Sequence, residues 1–223
     1  MGAAIAAAAA SQAALEGLTQ AVAGQQASLP GILDAARAGD GDAFAALVRR
    51  FERPVYHLIV RMVRRPSVAE DLAQDVFVRL WRHLAEFESA ATLAGWLRRV
   101  AVNAVIDHWR KEDARRRRLQ ALREHPLARL ALGPSSRLES HEALDLVDAA
   151  LEQLPAKLRS VLALRTAEGM AYDELAEVLG TSASAVRSRL FRARRELHEA
   201  LKRLKAPEYL ARMYRPPRPK GRP

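Results

Sequence analysis

The sequence predicts an all-α fold. Apolar residues recur at steps of three and four along both halves of the chain, and no alternation of useful length interrupts them. Ala, Leu and Arg dominate while aromatics make up only 5 %, a balance that favours helices over sheets. The 223 residues are 49 % hydrophobic, enough for one larger core or two small ones.

Residues 1–29 stand apart from this pattern. Ala3 to Ala10 is almost pure Ala, but no positive residue precedes it, and Gln12, Glu16, Gln20, Gln25 and Gln26 follow. A secretory signal needs a charged start and a membrane span about 20 apolar residues. The stretch reads as an Ala-rich, low-complexity extension, and the protein as cytoplasmic, without membrane insertion.

A first helical block follows over residues 30–113. Phe44, Leu47, Val48, Phe51, Val55, Leu58, Ile59, Met62 and Val63 form one stripe, with Pro54 predicting a kink or a restart. Pro66-Ser67 ends the run, and Ser67 with Glu70 has the spacing of a capping box for the next helix. That helix, Glu70–Leu84, is expected to turn Leu72, Val76, Phe77, Leu80, Trp81 and Leu84 inward. Asp71, Gln74, Asp75, Arg79 and Arg82 then face outward, acids early and bases late as the helix dipole prefers. A loop over Glu88–Gly95 leads to another helix carrying Trp96, Leu97, Val100, Ala101, Ala104, Val105 and Trp109 on one side.

Residues 114–140 read as a linker. They open with Arg115–Arg118, contain Pro126, Gly133, Pro134, Ser135 and Ser136, and carry a net +5. The second block, residues 141–205, begins with Leu144, Val147, Leu151 and Leu154 and restarts at Pro155 with Leu158, Val161, Leu162 and Leu164. Tyr172–Leu179, the turn Gly180–Ser182 and a helix beginning near Ser184 then have the outline of a helix-turn-helix unit. Val186, Leu190, Ala193, Leu197, Leu201 and Leu204 give the last helix its apolar face. A Pro-rich basic tail, residues 206–223, adds +4.

Composition narrows the function classes. There are 36 Lys and Arg against 26 Asp and Glu, a net +10 and a pI near 10.7, so an acidic polymer or surface is the expected partner. No Cys is present, which removes disulfides, thiolate metal sites and cysteine nucleophiles. The six His, at positions 57, 83, 108, 125, 141 and 198, have no ligand-like spacing. No metal, cofactor or catalytic residue is expected, and an enzyme acting on nucleic acid is disfavoured.

In a helix-turn-helix unit the second helix enters the major groove and its early residues meet base edges. Here the outer face offers Ser184, Arg187, Ser188, Phe191, Arg192, Arg194 and Arg195. Arg suits the task because its planar fork bonds two acceptors on a guanine edge. Phe191 either meets a thymine methyl or sugar, or covers a neighbouring helix.

Three stretches make the sequence recognisable. Leu154-Pro155-Ala156-Lys157-Leu158-Arg159-Ser160-Val161-Leu162, Glu168–Ala176 and Val186–Arg194 together resemble region four of the extracytoplasmic-function sigma factors of the sigma-70 family. Ala69–Phe77 and Trp96–Asn103 resemble region two, and the order is the family's. The likeness spans roughly residues 31–205. It departs from the family at Ser184-Ala185, where members often carry Gly-Thr.

The resemblance implies a region 2 helical bundle and a region 4 helix-turn-helix joined by a flexible basic linker. It implies that Asp71, Gln74, Asp75, Arg79 and Arg82 dock on the clamp coiled coil of core RNA polymerase, whose flap is a second contact. Arg98, Arg99, Asn103, Arg110 and Lys111 would serve the minus-ten element, with Asn103 reading a base edge and the cations gripping the backbone. The seven residues of the last helix's outer face would read the minus-thirty-five element. An anti-sigma factor is a further implied partner. A stand-alone helix-turn-helix regulator is the alternative; it would dimerise on paired half-sites and leave the first block without a purpose.

Overall fold

A computed structural model describes residues 28–124 and 143–214. Most of the Ala-rich extension, the linker from residue 125 and the tail from residue 215 lie outside the described residues. Among the described residues every regular element is helical. The chain divides into two compact units, residues 1–106 with 163–183, and residues 107–162 with 184–223.

In the first unit, α1 (Leu29–Arg37) starts on a Ser28 cap whose hydroxyl accepts from the Gly31 amide. Helix α2 (Gly41–Val63) starts on Asp40, whose carboxylate accepts from the amides of Asp42 and Ala43. Pro54 neither stops nor restarts α2, which is one continuous helix. Phe51, Val55, Leu58 and Ile59 are buried on either side of it, and that packing offsets the roughly 3 kcal/mol an interior Pro costs. Helices α1 and α3 (Pro66–His83) both pack on α2.

The expected capping box of α3 is absent. Arg65 is the N-cap, Pro66 occupies the first helical turn and no side chain caps the end. Pro is suited to that position because its missing N–H would be unpaired there anyway, and it moves Ser67 inside the helix. Trp81 is a second correction. It is 52 % exposed rather than inward, because Leu80, one position earlier, takes the buried side. The indole meets the edge of Phe44 at 4.7 Å between ring centres.

A short 3-10 turn (Leu84–Glu86) and Phe87 lead to α4 (Ala90–Glu124). The expected loop over 88–95 is therefore mostly helix, and Ser89 supports its first turn by accepting from the Thr92 amide. Phe87 and Trp96 pack edge to face at 5.1 Å. Helix α4 also runs past residue 113 into the span expected as linker.

The second unit contains the distal part of α4, α5 (Ala143–Glu152), most of α6 (Ala156–Ala167), nearly all of α8 (Ala183–Arg203) and α9 (Glu208–Met213). A buried cation ties it together. Arg159, with a side chain 4 % exposed, lies 3.1 Å from the Asp113 carboxylate and donates to the carbonyls of Glu152 and Leu154. Its guanidinium sits 5.1 Å from the Trp109 ring centre. Arg116 adds bonds to the Glu152 carbonyl and carboxylate, and Arg203 donates to Gln153. Helix α9 falls within the expected tail. Leu210 and Ala211 are buried, and the Ala211 carbonyl meets His198 Nδ1 at 2.7 Å.

Candidate nucleic-acid interface

Helix α7 (Tyr172–Val178) starts with the Glu174 carboxylate accepting from the Ala171 amide. It ends in a turn where Gly180 adopts φ +59°, a left-handed conformation that Gly enters without steric cost. The Thr181 amide closes the turn on the Ala176 carbonyl. Helix α8 then begins at Ala183, so helix, turn and helix follow in the expected order.

Helix α8 is strongly two-sided. Val186, Leu190, Ala193, Leu197, Ala200 and Leu201 are buried. Ser184, Arg187, Ser188, Phe191, Arg192 and Arg195 are exposed, and Arg194 is half-buried. Phe191 is 37 % exposed, which leaves its ring accessible beside the cations instead of sealed under a neighbouring helix. Arg195 lies 3.7 Å from Glu196, a surface pair that costs little to part.

The expected minus-ten residues all lie on α4. In the first unit Arg99 and Asn103 are exposed and Arg98 is half-buried, with its Nε buried and without a hydrogen-bond partner. Arg99 is engaged: its Nη2 donates to the Glu177 carbonyl at 3.3 Å. In the second unit Arg110 and Lys111 are exposed, with Arg110 bonded to Asp107 at 2.8 Å.

On α3, Asp71, Gln74, Asp75, Arg79 and Arg82 are all exposed, as expected. Sequence reasoning missed that Trp81 and Val78, 52 % and 49 % exposed, share the outer side of this helix. A large, rigid aromatic among charges is what interface hot spots are made of. The signal was present: Leu80 and Trp81 are neighbours about 100° apart on a helix, so both cannot point to the centre of the core.

Two buried charges were also missed. Burial pulls the Arg159 guanidinium below its ordinary range, opposed chiefly by Asp113. Glu168, 2 % exposed, is pushed up to about 7 by burial, with Arg61 opposing. No group of three or more His, Asp or Glu among the described residues could hold a metal ion, and no described helix is long and apolar enough to cross a membrane.

Comparison with known families places two matches on these surfaces. Sigma-70 region 2 matches residues 47–115 and Sigma-70 region 4 matches residues 144–197. The RNA polymerase sigma-H factor of Pseudomonas aeruginosa is 31 % identical over 181 residues, 78 % of this chain and 93 % of that protein. The ECF RNA polymerase sigma factor SigW of Bacillus subtilis is 29 % identical over 173 residues, 74 % of this chain and 92 % of SigW. The chain matches 60 % of the ECF sigma factor SigE of Mycolicibacterium smegmatis, at 34 % identity. A solved structure of CnrH with the cytosolic domain of CnrY is similar at TM-score 0.47 and 27 % identity, covering 77 % of this chain and 96 % of that one.

Proposed function

We propose a division of labour among these faces, starting from the fact that the chain belongs to the extracytoplasmic-function sigma factors of the sigma-70 family. It is an RNA polymerase sigma factor that directs promoter-specific transcription initiation, with core polymerase and promoter DNA as partners. Polymerase performs the chemistry in the cytoplasm, and this chain contributes selection and no catalytic group.

Residues 30–113 form the region that docks on the clamp coiled coil. Asp71, Gln74, Asp75, Arg79 and Arg82 supply charge complementarity, which sets encounter rate and orientation, and Trp81 with Val78 supplies the apolar anchor. From the same region Arg98, Arg99 and Asn103 handle the minus-ten strand, assisted by Arg110 and Lys111. Unstacking a base costs a few kcal/mol, so the arginines hold the backbone while Asn103 meets a base edge. Residues 141–205 read the minus-thirty-five element through Ser184, Arg187, Ser188, Phe191, Arg192, Arg194 and Arg195, and contact the flap. The chain between α4 and α5 joins the two regions, and the net +5 of residues 114–140 suits a path along nucleic acid. A separate anti-sigma factor is the third partner, competing for these same faces.

The observation that carries this reading is that α8 presents an exposed Ser/Arg/Phe face against a fully apolar back. It is tested by titrating core polymerase with wild-type protein and Asp75→Arg. Weakened core binding, with binding of minus-thirty-five duplex retained, supports the assignment. Unchanged core affinity removes the proposed docking face.

A further inference from the structure

Within the first unit, the corner between α6 and α7 is held by arginines from α2 and α4. The Arg61 guanidinium donates to the Ala167 carbonyl, and its Nε lies 3.4 Å from the Glu168 carboxylate. The Glu168 side chain is 2 % exposed, that of Arg61 22 %. Farther along, Arg99 donates to the Glu177 carbonyl. The corner itself is preformed. Arg165 donates to the carbonyls of Gly169 and Met170 and lies over the Tyr172 ring at 5.5 Å, while Leu164, Met170 and Leu175 are fully buried.

Two features make this contact suited to opening. Glu168 Oε1 is buried without a hydrogen bond, and a buried ion pair that is incompletely hydrogen-bonded gains little over its desolvation cost. The second feature is the identity of the cation at the far end. Arg99 belongs to the set assigned to the minus-ten strand, so the Glu177 carbonyl competes with phosphate for its guanidinium.

We propose that Arg61–Glu168 and Arg99–Glu177 form a latch that keeps the free protein closed and withholds Arg99 from DNA until the α6–α7 corner is released. The proposal rests on the DNA role assigned to Arg99 above, whereas the latch itself does not require that role. A closed state lowers apparent DNA affinity by the fraction of molecules that are open. Core polymerase or promoter DNA would then bind by selecting the open form.

The absence of Cys from the chain allows a direct test on the full-length protein. Cysteines are introduced at the exposed positions Ser67 and Asp173, spin-labelled, and their separation is measured without polymerase. The same preparations are titrated with a mixed-sequence single-stranded 20-mer.

Arg61→Glu and Glu168→Lys should each lengthen the separation and raise single-strand affinity about threefold or more. The double reversal, Arg61→Glu with Glu168→Lys, should restore both values. Should a charge reversal unfold the chain, Arg61→Gln carries the same expectation with less disturbance. Unchanged separation in folded single variants, or a double variant as open as the singles, overturns the latch. If the separation changes as expected but Arg99→Ala does not weaken DNA binding by the opened protein, the latch stands and the role assigned to Arg99 fails.

Discussion

Arg159 and Asp113 are partners across 46 residues of sequence, their guanidinium and carboxylate 3.1 Å apart beside the buried ring of Trp109. The arginine arises in the Leu-Pro-initiated α6, the aspartate and tryptophan in the distal part of α4. With two backbone carbonyls as further acceptors, Arg159 links the α5–α6 corner to the distal part of α4, and Arg116 donates to the Glu152 carbonyl as well. The charge is held because Nη2 meets a carboxylate and two carbonyls beside a π-face, while the buried Nε has no hydrogen-bond partner.

Arg159→Ala should therefore cost about 2–4 kcal/mol of unfolding free energy, since it removes the donor to the buried Leu154 carbonyl, leaves the Asp113 carboxylate without its cation and opens a cavity. Asp113→Ala should cost less, because Asp113 is 20 % exposed and Arg159 keeps its carbonyl acceptors. Urea unfolding followed by far-UV circular dichroism checks both. Equal losses would mean the ion pair, and not the carbonyl bonds, dominates.

Glu168 gives a pH dependence whose sign is fixed. Its carboxyl titrates at about 7 in the folded chain against an ordinary 4.5, raised by burial and opposed by Arg61 of α2; Arg165 of α6 is turned to the Gly169 and Met170 carbonyls of the same corner. The native state thus holds a proton that the unfolded state has released. Stability from this group is greatest below pH 4.5 and falls as pH rises to about 7, by on the order of 3 kcal/mol. Glu168→Gln should remove this slope. The difference in melting temperature, wild type minus variant, should decrease between pH 5 and pH 8; a flat difference would contradict the assignment.

On α8, Arg187→Ala and Arg192→Ala should each cost about 1–3 kcal/mol at a cognate minus-thirty-five duplex and relax its sequence preference. Competition against scrambled duplex separates readout from charge. Equal loss on both sequences would reduce these arginines to phosphate contacts.

Trp81→Ala should weaken core polymerase binding by about 2 kcal/mol, in the range of a central aromatic anchor, with little effect on folding because the ring is half exposed. Phe44 loses an edge contact in that variant, so the melting temperature is measured alongside. A stable variant with wild-type core affinity would assign Trp81 to the surface alone.

The helical class and the outward faces were legible because both depend on a repeat of 3.6 residues, which Leu47, Phe51, Val55 and Leu58 or Ser184, Ser188 and Phe191 display openly. Depth was not legible. Arg159 and Glu168 read as charges among charges, and only tertiary packing puts them inside. The start of α3 was misread because Pro66 outcompetes Ser67 for the helix end. The run Arg115–Arg118 reads as unpackable, yet a helix needs only one packed face, and Arg116 supplies it at Glu152. Helix α9, Glu208–Met213, is too short to show a period and stands behind Pro207 in a stretch read as tail.

The most direct test of the central claim is transcription in vitro from a randomised promoter library, with purified bacterial core polymerase, in the presence and absence of this protein. Initiation that depends on the protein and selects two sequence elements is the expected result. It should be lost with Asp75→Arg and altered in its upstream element with Arg187→Ala. Absence of both initiation and core binding, with tight duplex binding by the protein alone, would contradict the account.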